Sequence, residues 1–199
     1  MNSLTRYMVT LSQKWWAVLL VFSLNFASFG ILFSLEDQFE ALTNVPTFDT
    51  QNDLTAELVL QQLPLYTGEA RDAYLRFATF DFVFPLVAGI FVTVLWTLLM
   101  RLNTWRLPQQ LLLWNVPLLV LLITLWDWLE NVSFLMILST GATPSPALIN
   151  AALFFKRLKL TWLSLNGAVI SGLILLLVLN VISRVLRRQS APVSVKQGV

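Results

Sequence analysis

The chain has no cysteine and no histidine among its 199 residues. That removes disulfides, thiolate nucleophiles, Cys or His ligation of haem, His-ligated zinc and any Ser-His-Asp triad. Proton chemistry must run through Asp, Glu, Lys, Tyr or water. Charge is scarce too. Charged residues make up 12% of the sequence, about half the share in soluble domains. The net charge of +2 is too small to recruit nucleic acid. A pI near 9.2 reflects basic residues at segment ends, where anionic lipid is the natural partner.

What the chain has in abundance is apolar side chains, 57% of residues, with a mean hydropathy of +0.72. They fall in four runs of membrane-spanning length, at least about 20 residues each. These are roughly Trp15–Leu35, Phe80–Met100, Leu111–Leu138 and Leu160–Val185. The first exceeds the h-region of a signal peptide and lacks an A-x-A-like site, so it is expected to stay as a helix. The prediction is an all-α, four-transmembrane-helix bundle, one membrane domain over residues 1–188.

Four spans put both termini on one side. Arg6, Lys14, Arg101, Arg106, Arg184, Arg187, Arg188 and Lys196 then share that side. Arg71, Arg76, Lys156, Arg157 and Lys159 lie opposite. Basic residues accumulate inside, so the termini are expected to be cytoplasmic. Residues 36–79 then form a small extracytoplasmic helical cap. Within it, Asp53 is expected to cap a short helix that Pro64 stops, with Leu54, Leu58 and Leu63 facing the bundle. A second helix should start near Thr67 or Gly68 and run unbroken to Met100. Pro85 should kink it and leave the Asp81 carbonyl without its partner. Ser145-Pro146 is a helix-start signal before the fourth span. The tail 189–199 has no apolar period and is expected to be disordered.

Inside the third run stands Leu-Trp-Asp-Trp-Leu-Glu-Asn, residues 125–131. At 100° per residue, Asp127, Glu130, Asn131, Phe134 and Leu138 share one helix face. Glu130 lies about 12 Å from the end of the span at 1.5 Å per residue. A charge at that depth costs at least about 2.5–3.5 kcal/mol unless it faces inward and is paired. Residues of matching depth and facing are Asn25 on the first helix, Tyr74 and Asp81 on the second, and Lys159 and Asn166 on the fourth, with Lys156 close by. The expected cluster is therefore Asp81, Asp127, Glu130, Asn131, Asn25 and Asn166, with Lys159 or Lys156 as countercharge. Three carboxylates with amide oxygens invite a divalent cation, but the spacing matches no metal motif, so no metal or cofactor is expected. Arg76, four residues after Asp72, is expected in a solvent-side ion pair. Gly167-x-x-x-Ser171 and Ala168-x-x-x-Gly172 offer a small-residue face for helix packing.

The pattern R-D-A-Y-L-R-F-A-T-F-D-F-V-F-P, then D-W-L-E-N, then a basic residue opening the last helix, resembles a recurring type of small four-helix bacterial membrane protein. The resemblance covers Thr67 to the fourth helix. It implies a bacterial cytoplasmic (inner) membrane and marks Asp81, Asp127, Glu130 and Asn131 as defining positions. It supplies no reaction.

Several functions fit these residues. The cluster can line a cavity for an amphipathic ligand or lipid, in a binding or accessory protein that docks on a membrane-protein partner. Asp127 or Glu130 can serve as general acid/base in a lipid-modifying enzyme. The same carboxylates can relay protons in a carrier. Or they can hold the helices in register by hydrogen bonds.

Overall fold

The computed structural model describes residues 1–141 and 143–189, and among the described residues there is helix and turn but no strand. Eight α-helices follow in order among them. They are α1 (Ser3–Gln13), α2 (Trp15–Thr43), α3 (Ala56–Gln62), α4 (Gly68–Asp81), α5 (Phe84–Leu102), α6 (Arg106–Leu113), α7 (Leu122–Ser139) and α8 (Pro146–Gln189). Four helical stretches are long and apolar enough to cross a membrane: Trp15–Thr43, Gly68–Leu102, Val116–Ser139 and Pro146–Leu186. The tail after Gln189, the side chains of Arg187 and Arg188, and Lys196 lie outside the described residues.

The elements differ from the sequence expectation where a terminus or a proline intervenes. The chain opens with a separate amphipathic helix, α1, capped by the Asn2 side chain on the Thr5 N–H at 2.8 Å. Arg101 on α5 ties it down by donating to the Ser12 carbonyl and hydroxyl at 2.8 and 2.9 Å. The first span runs on to Thr43, so Glu36, Asp37 and Glu40 belong to α2 and not to a cap. Asn44 ends it with φ at 57°, a left-handed stop that asparagine tolerates. Asp53 does not cap the next helix. Thr55 does, accepting from the Leu58 N–H at 3.3 Å, and Leu63–Leu65 close it as a 3-10 turn around Pro64.

The long helix expected from Gly68 to Met100 is two helices. It breaks at Phe82–Val83, and Pro85 sits in the first turn of α5. Likewise, the expected third span from Leu111 is split. Asn115 turns left-handed at φ 63°, and Val116–Leu121, carrying Pro117, is a 3-10 segment before α7. The fourth helix begins at Pro146, with Ser145 accepting from the Leu148 N–H at 3.2 Å, and runs 44 residues. That is about 66 Å at 1.5 Å per residue, roughly twice the hydrocarbon core.

The helices pack in sequence, and the ring they form is incomplete. α7 lies closely along α8, while α2 packs on α4 and α5 and scarcely meets α7 or α8. Close approach of α5 to α7 depends on Gly89, where a Cβ would meet the Thr124 hydroxyl at 2.6 Å. At one end of the bundle an apolar core gathers Trp96, Leu99, Met100, Leu112, Val120 and Leu173. At the other, an aromatic core of Phe39, Phe48, Tyr66, Tyr74, Phe77 and Phe134 joins α2, α4 and α7 to the segment between α2 and α4. The small-residue face of α8 contacts nothing at Gly167 or Gly172.

Candidate functional site

The break between α4 and α5 frees backbone carbonyls in an apolar setting, where each costs several kcal/mol unless bonded. Two side chains of α7 take those of Asp81 and Phe82, and a third, at helical spacing, bonds the Pro85 carbonyl in the first turn of α5. Asn131 donates to the Asp81 carbonyl at 3.1 Å, Trp128 to Phe82 at 2.8 Å and Thr124 to Pro85 at 2.8 Å. Two residues of the W-D-W-L-E-N motif therefore satisfy a helix break. Sequence reasoning had assigned Trp128 no such role.

Asn131 also donates to the Asp81 carboxylate at 3.0 Å and to Asp127 at 3.4 Å. One amide thus holds two carboxylates together. Lys159 on α8 closes the group, with its Nζ 2.9 Å from Asp127 and 2.5 Å from Glu130. Lys156, one turn earlier, is buried. It reaches Glu130 at 3.1 Å and donates to the carbonyls of Phe48 at 3.0 Å and Asp49 at 2.8 Å. All three ammonium protons have acceptors. Glu130 itself is fully buried between the two lysines.

Residues 47–50 were missed by sequence reasoning, which placed them in the extracytoplasmic cap and gave Asp49 no role. They fold inward because Phe48 stacks on Tyr66 at 4.3 Å and on Phe134 at 5.3 Å. The Phe48 N–H donates to the Tyr66 hydroxyl at 3.0 Å. Asp49 is carried in behind it and accepts from the Tyr74 hydroxyl at 2.9 Å. Burial, then the charge of Glu130, pushes the Asp49 carboxyl up to about 6, against the pull of Lys159, Lys156 and the Tyr74 hydroxyl. Burial, then the charge of Asp49, holds the Tyr66 phenol above its ordinary range. The signal available in the sequence was Phe48 beside Asp49, an aromatic ring inside an otherwise polar loop.

A cavity of about 440 Å³ adjoins this cluster, within the usual ~300–1,000 Å³ of ligand sites. Its walls are apolar: Phe29, Leu32 and Phe33 from α2, Phe77 from α4, Phe84, Pro85 and Ala88 from α5, Ile123 from α7, Leu160 and Leu163 from α8. Its polar end carries Glu36, Asp49, Thr50, Asn52, Asp81, Asp127 and Lys159. Glu36 is hydrogen-bonded to the Thr50 hydroxyl. The cavity lies where α2 and α8 fail to meet. Phe29, Phe33 and Leu163 on its rim are 44%, 50% and 57% exposed.

Of the residues singled out from sequence, Asp81, Asp127, Glu130, Asn131, Tyr74, Lys156 and Lys159 come together. Two do not. Asn25 lies on α2 some three turns from Glu36, the α2 residue at the cavity's polar end, and its side chain makes no bond to the cluster. Asn166 lies two turns beyond Lys159, donates to the Trp162 carbonyl at 2.7 Å, and lines a separate apolar cavity of about 210 Å³ with Trp96 and Trp162. Arg76 is exposed without the expected Asp72 pair, since all three ion pairs among the described residues use Lys156 or Lys159. Among the described residues no group of three or more His, Cys, Asp or Glu is arranged to hold a metal ion.

No protein-family model matches the chain, and no curated protein or solved structure is detectably similar to it.

Proposed function

We propose that this is an integral membrane protein that holds an amphipathic ligand or lipid in the cavity between α2 and α8. The observation that carries the reading is the shape and lining of that cavity. It is open on the side, apolar along α2, α5 and α8, and charged at one end. A cluster serving only to pin helices would be closed and fully bonded. Here the Lys156 half is closed, while Asp81, Asp127 and Lys159 face open space. The basic-residue count supports termini in the cytoplasm. Residues 44–67 then form an extracytoplasmic cap, and the cavity lies in the outer half of a single membrane domain in a bacterial inner membrane. Ligand tails reach the cavity from the lipid, between α2 and α8.

A second reading, a lipid-modifying enzyme, draws on Asp81 and Asp127 sharing the Asn131 amide on the cavity wall. It moves the general acid/base from Glu130, locked between two lysines, to that pair. An accessory role draws on the unpartnered small-residue face of α8.

Native mass spectrometry of the protein extracted gently from its own membrane tests these readings, wild type beside Ala88→Trp. That variant fills the cavity without touching a charge. A small bound mass on the wild type, lost in the variant, is expected. A bare wild-type chain, or the same mass on both, overturns the proposal. A bound protein subunit on both samples points to the accessory role.

A further inference from the structure

The chemistry of the cavity's polar end specifies the kind of head it takes. Four carboxyl side chains, Glu36, Asp49, Asp81 and Asp127, face it against one lysine. That lysine, Lys159, is already engaged by Asp127 and Glu130. The other cation nearby, Lys156, has all its protons bonded. Most donors around the cavity are spent as well, and what remains is one ammonium proton of Lys159 and the uncharged, exposed Asn52 amide. The Tyr74 hydroxyl serves Asp49, the Asn131 amide serves Asp81 and Asp127, and the Trp128 indole serves Phe82. Acceptors are left over. Asp49 is 8% exposed, lines the cavity, and its Oδ1 has no partner. Asp81 uses a single carboxylate oxygen, Oδ2, with Asn131. A buried acceptor without a donor is costly and marks a place where a donor is missing.

We infer that the cavity takes an amphiphile whose head is a protonated amine, with N–H groups donated to Asp49 and Asp81 and an alkyl chain lying along Phe29, Phe33 and Leu163. An ammonium supplies both the donors and the charge that this end lacks. A phosphate or carboxylate head would add acceptors and negative charge where both are in excess. An alcohol supplies one donor and no charge. The inference rests on the cavity being a ligand site, as proposed above.

Three probes with one chain length separate the possibilities: n-dodecylamine, n-dodecanol and n-dodecyl phosphate. Each is offered at pH 7.5 to the full chain in zwitterionic lipid nanodiscs, and the retained ligand is counted by native mass spectrometry. Ala88→Trp, which leaves the bilayer unchanged, gives the blank for partition into lipid. Wild type is expected to retain dodecylamine at least about tenfold more than dodecyl phosphate, a gap of one decade in Kd. Asp81→Asn and Glu36→Gln should each weaken amine retention and leave dodecanol unchanged. The second variant keeps the test valid if the first fails to fold. Equal retention of all three heads, or preference for phosphate, overturns the amine inference and leaves the cavity standing. Retention no greater than in Ala88→Trp for every probe overturns the ligand-site reading itself.

Discussion

The polar cluster has two halves that differ in how their charges are finished. Lys156 and Lys159 stand three residues apart on α8, and both reach Glu130. Lys156 is enclosed by the carbonyls of Phe48 and Asp49, so every proton is bonded and no room remains. Lys159 opens onto the cavity with Asp81 and Asp127. The difference comes from the loop at 47–50, which the aromatic stack of Phe48 on Tyr66 and Phe134 draws over one lysine only. A buried charge with all its bonds made fixes geometry. A charge with open space beside it is available to a ligand. The same residue types serve both ends, so it is the surroundings that assign the role.

The strongest way to break this comparison is to remove each cation in turn. Lys156→Met leaves Glu130 buried beside a single lysine, and leaves two loop carbonyls without a donor. Breaking a buried pair costs about 3–5 kcal/mol, and equilibrium unfolding in mixed micelles should show a loss of that order. Lys159→Met should cost less than half as much, because water can enter the cavity to solvate Asp127. Equal losses would mean that both halves are structural.

The next effect concerns Asp49, which the closed loop holds near Glu130, Lys156, Lys159 and Tyr74. In the folded protein its carboxyl keeps a proton up to about pH 6, whereas its ordinary value is 3.8. Between these values the folded state binds more protons than the unfolded one, so this group's contribution to stability falls as pH rises from about 4 to 6. Asp49→Asn keeps the acceptor for Tyr74 and removes the titration. Relative to wild type, the variant should therefore gain roughly 2–3 kcal/mol between about pH 4 and pH 7.5, since each pH unit between the folded and unfolded titrations is worth about 1.4 kcal/mol. Thermal unfolding of both proteins across that range checks it, and parallel curves would place Asp49 in a solvated setting.

A smaller effect is expected where α7 repairs the break between α4 and α5. Thr124→Val removes the buried side-chain bond to the Pro85 carbonyl in the first turn of α5 and should cost about 1 kcal/mol. Trp128→Phe, at a more exposed carbonyl, should cost less. The same unfolding assay ranks them. The reverse order would mean that the indole carries more of the contact with α5 than the hydroxyl does.

How much of this was legible in the sequence follows from what range of interaction decides each feature. Four apolar runs and the inward acids of Leu125–Asn131 are set by periodicity and by the cost of charge in lipid, both local. Asp81, Tyr74 and Lys159 could be added because depth and helical facing align them. The break at Phe82–Val83 could not be read from Pro85 alone, which is equally compatible with a kink. It is stabilised by donors some forty to fifty residues away on α7. Asp49 was hidden because its burial depends on rings from three other segments. Asn25 and Asn166 were misplaced because matching depth does not establish contact. α2 leans on α4 and α5 and away from α7, and Asn166 lines a separate cavity.

The finest test of the comparison uses the basic residue between the two lysines. Arg157 lies at the same depth on α8, yet its side chain is exposed and joins none of the three ion pairs among the described residues. If facing rather than depth assigns the role, Arg157→Gln should change stability by less than about 0.5 kcal/mol, as exposed substitutions do. It should also leave retention of dodecylamine unchanged, because a solvated charge is screened over about 10 Å at 0.1 M salt. A loss comparable to that of Lys159→Met would mean that the cluster responds to the summed charge of this helix turn. The distinction between its closed and open halves would then be one of geometry without energetic consequence.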